Sequence, residues 1–278
     1  MDVFDDAPCV LGEGPLWHPE RNALFWFDIL GKRLICKGDN ARQGWSFDDH
    51  VSAAGWIDRD TLMIASETGL WRFDIETGAR TLVVPLEADM PVTRSNDGRA
   101  DPFGGFWIGT MGKEAEPYGG AIYRYYRGTL RLLFGRITIS NAICFAPDGH
   151  TAYFTDSFSK RVQRVALDEL GWPTGEPQVF LDLREPGLTP DGAVVDGAGN
   201  LWNAQWGAGR VACYSPDGAL LRSVDVPASQ TTCPAFGGAR AETLFVTTAA
   251  IGVDEPQGGM TFSQHVGVQG QQEHQVIL

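Results

Sequence analysis

Three residues whose chemistry would suit a metal ion lie far apart in the chain: Glu13, Asn141 and Asp191. Glu13 stands between Gly12 and Gly14 at the start of an apolar, strand-like run, LGEGPLWHPERNALFWFDI. The glycines give the backbone freedom and leave space around the carboxylate; a strand has no need of an acid there. Asn141 opens NAICFAPDGHTAYFTD and Asp191 opens DGAVVDGAGNLWNAQ. Two carboxylates brought together repel unless a cation or a shared proton compensates them. A carboxylate–amide–carboxylate set completed by water suits a hard divalent ion held through oxygen.

Other chemistry has little footing. The five histidines form no H-x-x-x-H or H-E-x-x-H pair, and His18 and His150 are expected as solvated side chains in polar turns. No G-x-S-x-G elbow is present, and no G-x-G-x-x-G joins a strand to a helix. Cys9, Cys36, Cys144, Cys213 and Cys233 are scattered without a C-x-x-C, as expected of reduced, buried thiols. A net charge of −13 with no basic cluster argues against nucleic acid and anionic membranes. The apolar runs are too short to span a bilayer, and the first residues, MDVFDDAPCV, lack a basic and an apolar signal region. The expectation is a soluble, cytoplasmic protein acting on a small molecule.

Residues so far apart meet only if the chain repeats. EGPLWHPERNALFWFD lies over NAICFAPDGHTAYFTD with Pro19 on Pro147, aromatic pairs aligned, and Asp28 on Asp156. Related strand–turn–strand units start at residues 13, 52, 96, 141, 191 and 233. A period of roughly 40–50 residues carrying strand pairs predicts a β-propeller with four strands per blade. The whole chain, 1–278, reads as one all-β, six-bladed domain. Residues 3–11 have no blade of their own and are expected as the outer strand of the last one, closing the ring. The first strand of each blade lines the central channel, so the starts Glu13, Ser52, Asn96, Asn141, Asp191 and Cys233 converge on one rim. A second polar column, Asp28, Ser66, Thr110, Asp156, Gln205 and Thr248, closes the second strands.

These strings resemble the gluconolactonase/regucalcin (senescence marker protein) family of six-bladed propellers. The carriers are LGEGPLWHP, RSNDGRADPFGGFWIGTM, ISNAICFAPDG, TPDGAVVDGAGNLW and AFGG, spread over nearly the whole chain. The resemblance implies one divalent metal ion (calcium, zinc, magnesium or manganese) on Glu13, Asn141 and Asp191. It implies substrate contacts from Arg94 and Asn96, and from Glu114 by an ungapped count from Thr110. The implied activity is hydrolysis of a sugar lactone to the aldonic acid, with Asp191 as general base besides its ligand role. The alternatives are a hydrolase of organophosphate or aryl esters, or a calcium-binding regulatory protein. A monomer or weak homo-oligomer is expected. Asn203 and Gln205 depart from the apolar or small residues commoner in the family, and Cys233 from a small hydroxyl-bearing one.

Overall fold

The computed structural model describes residues 1–38 and 41–278. Among them 24 strands form six four-stranded antiparallel sheets. The innermost strands are Gly12–His18, Val51–Asp58, Thr93–Ala100, Ser140–Phe145, Thr189–Val195 and Thr231–Gly237, opening blades one to six. Each of blades one to five adds its next three strands outward in chain order. Blade six instead takes its outer strand from the other terminus: Asp2–Asp5 pairs antiparallel with Thr261–His265. The expected ring closure is therefore present, and it covers an edge that would otherwise be free to pair with another chain.

Burial explains why these segments are strands. The second strand of blade one, Ala23–Asp28, is buried along its whole length, whereas the outer strand Thr129–Ile137 is mostly open to solvent. Apolar side chains fill the gaps between neighbouring blades. Phe25, Phe27, Ile64 and Phe73 pack between blades one and two, and Trp202, Phe236, Val246 and Phe262 between five and six. Each fully buried side chain of this size contributes about 2 kcal/mol.

The C-terminal tail crosses the ends of the inner strands, opposite their starts. The Gly270 N–H donates to Ala241 O (2.8 Å), and Gln271 Nε2 donates to Phe145 O (2.9 Å) and Val195 O (3.0 Å). Trp56 Nε1 donates to Glu273 O (2.9 Å), and the Ile277 N–H donates to Gly104 O (2.8 Å). Arg99 forms an ion pair with Glu273 in which the two side chains are 10% and 7% exposed. Glu273→Ala would leave that guanidinium buried and unpaired, which costs about 3 kcal/mol or more. The denaturation midpoint in urea should fall accordingly. Arg99→Met combined with Glu273→Leu should recover most of the loss, because the two positions act as a unit.

Candidate active site

Every inner strand slips register against its neighbour at the same place. The shifts fall between Glu13 and Leu16, Val51 and Ala53, Ser95 and Gly98, Asn141 and Cys144, Pro190 and Ala193, and Thr231 and Cys233. Bulges of this kind re-aim side chains beside functional sites. On the channel side of each slip the second-column residues pair as Gly12 with Asp28, Val51 with Ser66, Ser95 with Thr110, Ser140 with Asp156, Pro190 with Gln205 and Thr231 with Thr248. The equivalent residues one step on are Glu13, Ser52, Asn96, Asn141, Asp191 and Thr232.

Blade six thus corrects the sequence reading by one residue. The turn between Gly237 and Thr243 is one residue longer than that between His18 and Ala23, so counting back from Thr248 lands on Cys233 instead of Thr232. Thr232 supplies the expected hydroxyl, and its Oγ1 donates to Gly12 O at 2.6 Å. The glycines beside Glu13 also have a different purpose from making room for its carboxylate. Gly14 takes φ +55°, and a Cβ there would lie 2.3 Å from Ser52 O; at Gly12 it would lie 2.5 Å from Thr248 O. Neighbouring backbone demands both glycines.

A relay of hydrogen bonds orients the amides. Arg94 Nη1 donates to Asn96 Oδ1 (2.7 Å); Asn96 Nδ2 donates to Asn141 Oδ1 (3.0 Å) and Ser140 O (2.8 Å). Asn141 Nδ2 donates to Ser157 Oγ (3.0 Å), whose hydroxyl donates to Pro190 O (2.6 Å). A guanidinium can only donate, so Arg94 dictates which end of Asn96 is oxygen, and Asn96 dictates the same for Asn141. Glu13, Arg94, Asn96, Asn141 and Asp191 all line one cavity of about 280 Å³. Its rim is apolar, formed by Leu11, Met111, Ile139 and Trp206, with Thr189 and Ser157 between them.

Glu114 is not brought there. It is exposed, and its N–H donates to Glu116 Oε2 at 3.1 Å. The count from Thr110 passes the end of the strand Phe106–Gly112 into a turn; Met111, still on the strand, reaches the cavity instead. His18 is not a solvated turn residue either. It ends an inner strand fully buried, with Nε2 3.1 Å from Asp58 O, and burial pushes its pKa down to about 4. Apart from Arg94, the rim residues went unread in sequence, yet the repeat encodes them. Leu11, Arg94, Ile139 and Thr189 lie two positions before the first column; Met111, Ser157 and Trp206 lie one after the second.

Acidic groups crowd the cavity floor beside one buried guanidinium. Burial, and next the charge of Asp97, push the Glu13 pKa up to about 8. Burial, Glu13 and Asp97 hold Asp191 well above the usual carboxylate range. Asp97 is itself raised to about 6 by burial, although the Ile143 N–H donates to its Oδ2 at 2.7 Å. Desolvation lowers Arg94 to about 10 against the pull of Glu13. Asp191 Oδ1 is buried without a hydrogen-bond partner. Among the described residues no three His, Cys, Asp or Glu side chains gather as a metal-binding group. The donor set here is two carboxylates and an oriented amide oxygen, which fits a hard, oxygen-seeking divalent cation.

Fold and site together define a six-bladed propeller with an acidic, oxygen-lined pocket at one end of its channel. Residues 11–250 match the SMP-30/Gluconolactonase/LRE-like region, and the chain belongs to that family. It is 41% identical to a calcium-binding protein, regucalcin, of Agrobacterium tumefaciens, over 99% of this chain and 97% of that one, with a TM-score of 0.97. It is 36% identical to the L-arabinolactonase of Azospirillum brasilense, over 96% of this chain and 93% of the relative. It is 33% identical to the 6-deoxy-6-sulfogluconolactonase of Pseudomonas putida, over 95% and 94%.

Proposed function

We propose that the protein hydrolyses a sugar lactone to its aldonic acid, using a divalent cation on Glu13, Asn141 and Asp191. The lactonases among its relatives support the reaction class. The observation that carries the metal is the unpartnered Asp191 Oδ1 among buried acids with raised pKa values. When bound, such an ion polarises a lactone carbonyl and acidifies water.

The chain's own groups supply the rest. Asp191 accepts the proton of the attacking water and returns it to the ring oxygen as the carbon–oxygen bond breaks, so one water is added, and the aldonic acid formed then ionises and releases its proton to solvent. Arg94 spends Nη1 on Asn96 and Ser95 O; the remaining face of its fork grips substrate hydroxyls and the developing oxyanion. One such donor is worth about 3 kcal/mol. Leu11, Met111, Ile139 and Trp206 cover the carbon face of the sugar ring and exclude bulk water.

The test is proton release from a panel of 1,4- and 1,5-aldonolactones and an aryl ester. Each is assayed after chelation and after adding back calcium, magnesium, manganese or zinc singly. Saturable lactone turnover restored by at least one ion is expected. Turnover of the aryl ester alone, or lactone turnover indifferent to chelation, would overturn the proposal.

A further inference from the structure

Asn203 occupies a position that every other blade fills with an apolar side chain. It lies two residues before the second-column residue, where the other blades carry Trp26, Ile64, Ile108, Phe154 and Val246. It is fully buried within the strand Leu201–Trp206. An amide in such a place is unfavourable unless hydrogen bonds compensate it, and Asn203 Oδ1 has no partner. The strand itself gains nothing from that arrangement.

The other end of the amide explains it. Asn203 Nδ2 donates to Asp191 O at 3.0 Å and Gly192 O at 3.2 Å. Asp191 and Gly192 are the two residues of the bulge, skipped between the pairs Pro190–Gln205 and Ala193–Asn203. Their carbonyls lack the ladder partners that a regular strand would provide. On the other side the bulge is backed by blade six, where a Cβ on Gly192 would lie 2.3 Å from Cys233 Sγ. The Asp191–Gly192 backbone is held between an amide and a thiol.

We propose that Asn203 is a positioning residue: by tying down the bulge carbonyls it aims the Asp191 carboxylate into the cavity. The inference rests on the functional reading of Asp191 given above. Residues that orient a ligand from behind commonly change metal affinity by ~10–100-fold when replaced.

Asn203→Leu keeps the side-chain shape and removes both donated bonds; Asn203→Thr keeps one donor. Calcium titration of chelated protein by calorimetry should show at least a ~10-fold weaker Kd for the leucine variant, with a smaller loss for threonine. The turnover number should fall while the KM for the lactone changes little, because Arg94 and the rim are untouched. Melting temperature should fall only modestly, since removing the unpartnered Oδ1 offsets part of the loss of the two donated bonds. A crystal structure of either variant gives the decisive comparison. An Asp191 side chain displaced from its parent position supports the proposal. One that superposes on the parent, or a leucine variant with unchanged Kd and turnover, overturns it. Should the parent protein itself bind no cation and open no lactone, the functional reading fails, and the crystallographic comparison still decides the role of Asn203.

Discussion

Asp191→Asn is expected to lower kcat/KM for a sugar lactone by about 10³-fold or more while leaving the fold at least as stable as before. Asparagine matches aspartate in shape and retains one oxygen that a cation could use. It cannot take a proton from water, and positioned bases of this kind contribute ~10²–10⁴-fold. Losing a negative charge from the cation site adds to the deficit. Stability should move the other way. Asp191 is buried beside Glu13 and Asp97, and its pKa is held up because ionising it there is unfavourable. A neutral amide removes that penalty, which sets in as pH rises above the ordinary carboxyl value of 3.8. The comparison with Asp191→Ala separates the roles: alanine loses ligand and base together, asparagine chiefly the base. Proton-release kinetics and thermal melts of both variants provide the check, and near-parental turnover in either would sink the assignment of Asp191.

The blades were legible in sequence because each depends on a local pattern that repeats: Pro19 matches Pro147, and aromatic pairs precede Asp28 and Asp156. The convergence of Glu13, Asn141 and Asp191 on one cavity was legible because oxygen-bearing side chains recurred where apolar ones would serve a strand better. Three features escaped for physical reasons. The one-residue shift from Cys233 to Thr232 arises in a turn whose length the apolar pattern does not constrain. Glu114 was misplaced because a count along a strand loses meaning once the strand ends at Gly112. The tail that seals the far end of the channel carries no periodicity; it is held mostly through backbone groups and the Arg99–Glu273 pair, which sequence spacing does not reveal. Asn203 was visible as a departure, but its role needed the bulge carbonyls to be seen beside it.

The acidic floor also makes an uncommon prediction about pH. Glu13 titrates at about 8 in the folded protein against an ordinary value of 4.5, so between those values the native state holds a proton that the unfolded chain has released. Stability must then fall as pH rises through this window. Asp97, at about 6, and Asp191 act in the same direction. Glu13→Gln removes one of these groups without changing its size. In the presence of chelator the variant should melt at the same temperature as the parent near pH 4.5 and above it at pH 8, by ~2 °C for each kcal/mol of relieved penalty. Taking the difference between variant and parent cancels the surface carboxylates, which titrate alike in both. Calcium should narrow the gap at pH 8. An ion at 100 times its Kd stabilises the parent by about 2.7 kcal/mol, and the variant, short of one carboxylate, gains far less. Binding to the parent should also release protons, read as a calorimetric heat that depends on the ionisation enthalpy of the buffer. If parent and variant melt together at every pH, with and without calcium, then Glu13 neither carries the buried proton nor holds the ion.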